Sequence, residues 1–401
     1  MSLEEEVLRI REDFPILSRP NFIYLDNAAT TQKPLSVIEK EASIYRELNA
    51  NVHRGIYRVA EKITEEYESA RKNVASFINA QPEEIVFTRN TTDSLNIAAY
   101  ALLQRLRSGD RIVTTLLEHH SNLLPWRRIA GIAGLRLELV GITKDGRIDE
   151  GDFEEKIKGA KVVSFTQVSN VAGTIVDVRR LAEKAKREGA IVVVDGAQAA
   201  PHMRIDVREL GVDFYAFSGH KMLGPTGIGV LYGRRELLEE LEPPFTGGEM
   251  VKEVHREGQS WNELPWKFEP GTPNYVGAIA LGEAVNYLRR IGMERIEAYE
   301  RKLAEQLIER IGSIEGIRYA GPEGDRAALI AFEVKGIHPH DVAAYLDMKG
   351  IAVRSGWHCA QPLQEELGFE SGTTRASLYF YNTMDEIEAL RDALKELVRM
   401  A

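Results

Sequence analysis

Residues 190–198 of the chain read AIVVVDGAQ, and residues 213–221 read DFYAFSGHK. In each segment a run of strand-forming residues ends at a group that can carry charge, Asp195 in the first and Lys221 in the second. Runs that are apolar throughout are typical of strands covered on both faces, as in the parallel sheets of α/β proteins. Ligands bind such sheets at the carboxyl ends of the strands. The two segments therefore predict a buried sheet with a ligand site at one edge.

Similar runs alternate with helical stretches from about Phe22 to Gly233, which predicts an α/β large domain with a mostly parallel, mixed sheet. An irregular stretch rich in Pro and Gly, 243–275, is expected to carry function or an interface. The other short runs that we interpret as strands of the large domain are FIYLD, EIVFT, RIVTTLLE, LRLELVGI, KVVSFTQVS and GIGVLYG.

The remainder of the chain predicts a smaller α+β domain. A long helical section is expected at roughly 276–310, followed by strands in GIRYAG, ALIAFEV, IAVRSG and RASLYFYN. Thr383 with Glu386 three residues later forms a capping-box pattern, which predicts the start of the last helix. We expect the large domain to span 21–288, and the small domain to combine 1–20 with 289–401.

Composition narrows the function classes. The 401 residues carry a net charge of −10, which disfavours nucleic acid and anionic membranes as partners and favours a small molecule. No apolar run approaches the roughly 20 residues of a membrane span, and the acidic N-terminus does not resemble a secretory signal, so we expect a cytoplasmic protein. The single cysteine, Cys359, excludes an internal disulfide and a thiolate-rich zinc site.

The segment SGHK at 218–221 suggests covalent chemistry. A lysine at the end of a buried strand is poorly solvated, so its pKa falls and its amine can form a Schiff base. The alternative for Lys221 is a surface lysine in a turn. Asp195 needs a cationic partner, which a protonated pyridine nitrogen would supply, and Gln198 is placed to bind a ring hydroxyl. The alternatives for Asp195 are a helix N-cap or a ribose-binding acid.

An anion site is predicted where EIVFTRNTTDSLN passes from a strand into a helix at Thr91 and Thr92. Backbone N–H groups at the start of a helix, with two hydroxyl groups, suit a phosphate. Ser218 and His220 would add donors from the lysine segment. Simple N-capping by Thr91 or Thr92 is the alternative.

Two histidines, His119 and His120, follow the strand predicted in RIVTTLLE. One of them could stack on a cofactor ring and move protons, although a structural role remains open for each. No third ligand at suitable spacing accompanies the pair, so we expect no metal.

The segment IAVRSGWHCAQPL places Arg354, His358 and Cys359 in a loop that leaves a strand, and Arg375 is expected at the start of the next strand. Arginine suits the α-carboxylate of an amino acid because its planar fork matches both oxygens. A lone cysteine is often a buried small hydrophobe. Here the flanking Gly, His and Pro predict an exposed loop, and nearby cations would favour the thiolate.

Taken together, these motifs resemble the class V branch of fold-type I aminotransferase-like enzymes and, within it, the group II (Suf-type) cysteine desulfurases. The similarity covers essentially the whole chain. It includes YLDNAATTQKP, NVHRGIY, TRNTTDSLN, EHHSNLLPW, SNVAGT, VDGAQ, FSGHKMLGPTGIG, EPGTPN and RSGWHCAQPL.

The resemblance implies a homodimer that uses pyridoxal 5′-phosphate to convert L-cysteine to L-alanine. Sulfur would pass to Cys359 as a persulfide, and then to an acceptor protein for iron–sulfur cluster assembly or a related pathway. Lys221 would bear the cofactor and His119 would stack on its ring. The other implied contacts involve three groups. Asp195 and Gln198 would bind the ring, and Asn170, Arg354 and Arg375 would bind the substrate. Thr92, Ser218 and His220 would hold the phosphate, joined by Thr272 from the second subunit.

Trp357 departs from the family pattern, in which a smaller or polar residue is commoner before the His-Cys pair, and it could alter how an acceptor protein approaches. A selenocysteine lyase or a transaminase of the same fold remains an alternative. A nicotinamide-dependent oxidoreductase is disfavoured, because the glycines at 227, 229 and 233 have the wrong spacing and lead into a strand. A non-catalytic scaffold would leave the lysine, aspartate and two arginines unexplained.

Overall fold

The computed structural model describes residues 3–400 of the chain. The strands are β1 (Ile23–Tyr24), β2 (Ile85–Thr88), β3 (Arg111–Thr115), β4 (Arg136–Val140), β5 (Val162–Thr166), β6 (Ile191–Asp195), β7 (Phe214–Ser218), β8 (Gly229–Gly233), β9 (Val251–His255), β10 (Gly258–Trp261), β11 (Ile317–Tyr319), β12 (Leu329–Val334), β13 (Ile351–Ala352), β14 (Arg354–Gly356) and β15 (Thr373–Ser377). The α-helices are α1 (Leu3–Arg11), α2 (Leu35–Glu47), α3 (Arg58–Phe77), α4 (Thr91–Leu103), α5 (Leu124–Ala133), α6 (Glu150–Lys156), α7 (Val178–Arg187), α8 (Val207–Leu210), α9 (Arg235–Glu240), α10 (Tyr275–Ile291), α11 (Met293–Leu307), α12 (Pro339–Met348), α13 (Gln361–Glu366) and α14 (Met384–Met400).

A seven-stranded sheet forms the centre of the molecule, in the order β2-β8-β7-β6-β5-β3-β4. β8 runs antiparallel to both of its neighbours, β2 and β7, and the other neighbouring pairs are parallel. β5, β7 and β8 are buried along their whole length, because helices cover both faces of the sheet. The predicted α/β fold with a mostly parallel, mixed sheet is confirmed.

The register of the central strands brings their carboxyl ends together. Thr166 of β5 pairs with Asp195 of β6, and Asp195 pairs with Ala216 of β7. Ser218 ends β7 two residues further on, and a short turn at Gly219–Lys221 follows it. The polar groups that end these strands therefore share one edge of the sheet.

The prediction that FIYLD forms a strand of the large domain is wrong in its placement. Only Ile23 and Tyr24 are extended, and they pair in parallel with Ile351 and Ala352 of β13, outside the central sheet. The backbone then continues beside β15, where Asp26 forms a bridge with Ser377. Both strand residues are only half-buried, whereas the inner strands of the central sheet are buried. The N-terminal segment therefore joins the C-terminal part of the chain to the sheet.

The C-terminal part forms an antiparallel four-stranded sheet in the order β11-β12-β15-β14. The strand predicted in RASLYFYN ends at Ser377, and residues 378–381 continue as a buried aromatic turn. The last helix begins as predicted, since the backbone N–H of Thr383 donates to Glu386 and the Thr383 hydroxyl accepts from the backbone N–H of Glu386.

Two further expectations are refined by the structure. The helical section predicted at 276–310 is two helices, α10 and α11, because Gly292 between them has a φ of 94° that breaks the helical hydrogen-bond ladder. The irregular stretch 243–275 contains an exposed hairpin, β9 and β10. The division into domains at 20 and 288 stays a prediction. Among the described helices, none has the length and apolar character needed to cross a membrane.

Gly229 of β8 lets the backbone at the start of α4 pack closely against the edge of the sheet. A Cβ at this position would lie 2.5 Å from Cα of Asn90, the residue that caps α4. We predict that Gly229→Ala lowers the free energy of unfolding by about 1–3 kcal/mol, because the backbone of Asn90 must move. Gly258→Ala in β10 is the control, since a Cβ there meets nothing within 4 Å. Denaturant unfolding of both variants measures the effect, and equal stabilities would contradict it.

Candidate active site

A cavity of about 360 Å³ opens at the carboxyl edge of the central sheet, facing strands β14 and β15 of the C-terminal sheet. Its walls include every candidate site residue named from the sequence except His120 and Thr272. The residues that line it are Ala28, Ala29, Asn90, Thr91, Thr92, His119, Ser121, Thr166, Val168, Asn170, Asp195, Ala197, Gln198, Ser218, His220, Lys221, Thr226, Gly227, Arg354, His358, Cys359 and Arg375.

Asp195 and Lys221 form the electrostatic centre of the cavity. Burial lowers the pKa of Lys221 to about 8, and the charge of Asp195 opposes that shift. Burial raises the pKa of Asp195, opposed by a hydrogen bond from the Ala197 backbone and by the charge of Lys221. Oδ1 of Asp195 accepts a hydrogen bond from the backbone N–H of Ala197 at 2.9 Å, and Oδ2 has no hydrogen-bond partner in the described part of the chain. A cationic ligand group would satisfy it.

Gln198 lies beside this pair, one turn beyond β6. Its Nε2 donates to the backbone oxygen of Ala28 at 2.7 Å, which ties the N-terminal segment to the cavity wall. The predicted bond from Gln198 to a ring hydroxyl stays a prediction.

The start of α4 forms a polar cradle on another wall. The backbone N–H of Thr91 donates to Oγ of Ser218 at 2.8 Å, and the two hydroxyl groups are 2.7 Å apart. Asn90 is the N-cap, with its side chain accepting from the Asp93 backbone, so N-capping by Thr91 or Thr92 is not what the structure shows. The threonine hydroxyls occupy the first turn of the helix, where N–H groups and the helix dipole favour an anion.

The two histidines predicted from the sequence have different surroundings, since only His119 lines the cavity. His119 lines the cavity, and its Nδ1 accepts from the backbone N–H of Ser121 at 3.1 Å, which places the ring proton on Nε2. Burial, with the nearby charge of Lys221, lowers the pKa of His119 to about 3, so the ring is neutral. His120 instead donates its backbone N–H to the oxygen of Cys359 at 2.6 Å. Among residues 3–400, no cluster of three or more metal-ligating side chains is found.

Cys359 is exposed on a short loop that several bonds hold in place. His358 and Cys359 have φ values of 48° and 56°, in the left-handed region that costs non-glycine residues free energy. Asn170 donates its side-chain amide to the oxygen of His358 at 2.8 Å, and the His358 ring contacts both oxygens of Thr373 at 3.0 Å. The loop is therefore short, strained and fixed from three sides.

Arg354 and Arg375 face each other across neighbouring strands, as register partners of β14 and β15. Arg375 is the third residue of β15 rather than the first, which corrects the sequence prediction. It is 2% exposed, and it donates to the backbone oxygen of Asn170 at 3.0 Å and to Asp26 at 3.2 Å. Its Nε has no partner in the described structure. Like charges side by side cost free energy, which an anionic ligand would offset.

Two residues of this neighbourhood were missed from the sequence. Asp26 orients Arg375, and its position in YLDNAAT offered no periodic signal. Glu118 is a buried acid near Asp195, and burial raises its pKa to about 8. Three donors oppose this shift by binding its carboxyl group, namely Thr115 Oγ1, Asn122 Nδ2 and the backbone N–H of Thr166.

Thr272 lies elsewhere in the single chain, in a neighbouring cavity whose lining includes Phe245 and Pro270. The prediction that this residue reaches a phosphate from a second subunit stays a prediction.

Comparisons with known proteins agree with this geometry. Residues 23–390 match the family described as Aminotransferase class-V. A probable cysteine desulfurase of Halalkalibacterium halodurans is 49% identical over 394 residues, covering 96% of this chain and 97% of the relative. A probable cysteine desulfurase of Halobacterium salinarum is 44% identical over 400 residues, covering 98% and 96%. Among solved structures, the apo cysteine desulfurase of Thermococcus onnurineus NA1 superposes with a TM-score of 0.96 at 46% identity, and the match covers 100% of this chain and 99% of the other. The Escherichia coli cysteine desulfurase CsdA, in an S-sulfonic acid form, superposes with a TM-score of 0.91 at 40% identity, and the match covers 98% of each chain.

The buried acid Glu118 generates a pH-dependent prediction. Its pKa rises from 4.5 to about 8 on folding, so the folded state holds more protons than the unfolded state between these values, and stability falls as pH rises through that window. We predict that Glu118→Gln, which stays neutral, gains about 2–4 kcal/mol relative to the wild type between pH 5 and pH 9. Urea unfolding across this range measures the difference. The control is Glu65→Gln at an exposed position on α3, whose free energy of unfolding should change with pH as that of the wild type does. The same behaviour in Glu118→Gln would contradict the raised pKa of Glu118.

Proposed function

The chain belongs to the class-V aminotransferase family, and from this membership and the cavity described above we infer that it is a cysteine desulfurase that acts on L-cysteine with pyridoxal phosphate. The observation that carries the inference is the meeting of a buried lysine, a buried acid and an exposed thiol around one cavity. The expected products are L-alanine and a persulfide on Cys359.

The residues present fit pyridoxal phosphate. Lys221 offers an amine of lowered pKa for the aldehyde, and the unpartnered oxygen of Asp195 suits a protonated ring nitrogen. Thr91, Thr92 and Ser218 surround the start of α4, where a phosphate would lie. When bound, the cofactor supplies an electron sink for the α-carbon of an amino acid.

The side chains of the chain itself divide the remaining work. Arg354 and Arg375 would bind the α-carboxylate of cysteine, with Asp26 holding the Arg375 fork in place. The Lys221 amine, with its pKa of about 8, is partly neutral near neutral pH and can carry the α-proton on Nζ. His119 is neutral and oriented through Nδ1, so its Nε2–H would serve as a fixed hydrogen-bond donor from the cavity wall.

Sulfur transfer falls to Cys359. Its thiolate attacks the substrate sulfur, a sulfur–sulfur bond forms, the carbon–sulfur bond of the substrate breaks, and the released carbon takes a proton to become alanine. Atoms and electrons balance without an external oxidant, since cysteine and the protein thiol become alanine and the protein persulfide. The fixed loop limits how far Cys359 can travel, so an acceptor protein would have to come to it. Iron–sulfur cluster assembly, or a related pathway, is the proposed destination of the sulfur.

A homodimer is proposed because several large apolar side chains in α2, and between α2 and α3, are exposed in the single chain. The exposed side chains include Ile38, Tyr45 and Tyr57, and Ile56 is 95% exposed. Exposed apolar patches of this kind mark interfaces, and twofold pairing is the commonest way to cover them. Thr272 would then reach the cavity of the partner subunit. We also propose that the enzyme acts in the cytoplasm.

Replacement of the lysine tests cofactor attachment. We predict that Lys221→Ala removes the yellow colour that pyridoxal phosphate gives the wild type, and lowers alanine production by more than about 1,000-fold, because the amine both attaches the cofactor and moves the α-proton. Absorbance spectra and an alanine assay measure the two effects. Lys72→Ala, an exposed position on α3, is the control. Full activity in Lys221→Ala would end the proposal.

Replacement of the thiol tests sulfur transfer. Cys359→Ala should keep the cofactor colour of the wild type but stop sulfide release from cysteine, because the acceptor atom is gone while the cofactor site is intact. Sulfide and alanine are assayed together, with cysteine and then selenocysteine as substrate. An unchanged rate on cysteine would show that the thiol is structural. Retained turnover of selenocysteine alone would favour the lyase alternative.

A further inference from the structure

Residues 26–33, here called the crossing segment, connect the C-terminal four-stranded sheet to three parts of the cavity. Asp26 accepts from Arg375, and the backbone oxygen of Ala28 accepts from Gln198. Further along, Thr31 accepts through its hydroxyl from the backbone N–H of Leu223 at 3.0 Å. The crossing segment therefore touches the proposed carboxylate site, the cofactor-ring site and the lysine turn.

Most hydrogen bonds between the crossing segment and the lysine turn are made to one atom, the backbone oxygen of His220, which precedes Lys221. It accepts from the backbone N–H of Thr31 at 3.1 Å, from the hydroxyls of Thr30 and Thr31 at 3.0 and 3.2 Å, and from Nζ of Lys33 at 2.9 Å. A carbonyl oxygen has two lone pairs, so four donors more than saturate it. The peptide that precedes Lys221 is thus held from the side of the crossing segment.

Lys33 is the one charged donor in this group. Its ammonium also contacts the backbone oxygen of Thr31 and the hydroxyl of Thr30, and no carboxylate of the described residues lies within ion-pair distance of it. Burial lowers the pKa of Lys33 to about 7. A largely buried ammonium without a counter-ion is costly, so packing alone does not account for it.

We propose that Lys33 is a positioning residue for the cofactor lysine, which it holds through the backbone oxygen of His220. The geometry that carries this role is a 2.9 Å hydrogen bond to the peptide from which Lys221 projects, made by a side chain that does not itself line the cavity. Fixing that peptide sets the direction of the Lys221 amine relative to Asp195. The inference rests on the proposed function, because it takes Lys221 to be the residue that attaches pyridoxal phosphate.

The experiment compares Lys33→Met with Lys33→Arg in the full-length protein. We expect Lys33→Met to raise the dissociation constant for pyridoxal phosphate, measured by titrating cofactor-free protein, by about ten-fold. The pH midpoint of the visible absorbance of the reconstituted protein should shift, and kcat should fall by about ten-fold. KM for cysteine should stay within about two-fold, because the two arginines are untouched. Lys33→Arg keeps a cationic donor and should restore most of each property.

The control is Lys72→Met, which removes an exposed lysine on helix α3. This variant should match the wild type in every measurement. If Lys33→Met does not fold, Lys33→Gln keeps a donor without the charge and is measured in its place.

Two results would overturn the inference, and they are distinguishable. In the first, the wild type binds pyridoxal phosphate and the Lys33→Met variant has the same affinity and the same absorbance midpoint. This result would show that Lys33 only stabilises the fold, even if the melting temperature of the variant falls. A wild type that binds no pyridoxal phosphate would overturn the proposed function and the role of Lys33 together.

Discussion

The site depends on two opposite charges, on Lys221 and Asp195, that are kept from bulk water at one edge of the sheet. Burial alone would drive both groups to their neutral forms, and each group opposes that change in the other. The result is an amine that can lose its proton near neutral pH beside an acid that still attracts positive charge. A flat cofactor with an aldehyde and a basic ring nitrogen meets both requirements at once.

The sheet register makes this pairing possible, and the other walls follow from it. Asp195 and Thr166 end neighbouring strands at the same level, and Lys221 follows the next strand by a single turn. The start of α4 lies against Ser218, so the anion cradle is held at a set distance from the lysine. Close packing at Gly229 keeps that helix start against the sheet.

The C-terminal four-stranded sheet contributes positive charge and a thiol, which the central sheet does not supply. Two arginines from adjacent antiparallel strands bring positive charge to the cavity, and the loop after the first of them carries the thiol. The strained backbone at His358 and Cys359 persists because Asn170 and His120, which follow strands of the central sheet, bind its carbonyl groups. The nucleophile is thus placed by contacts across the two parts of the chain.

Local sequence determined the strand runs, their polar ends and the helix start, and with them the positions of Asp195, Lys221 and the threonines of α4. These features depend on near neighbours, so periodicity and strand-end chemistry report them directly. Family motifs added residues that pattern alone left open, such as Asn170. The partners of the N-terminal segment, the register that sets Arg354 against Arg375, the buried acid Glu118 and the saturated carbonyl of His220 were decided only by the tertiary structure. They join residues far apart in the chain, and their geometry depends on how whole elements pack, which no local pattern records.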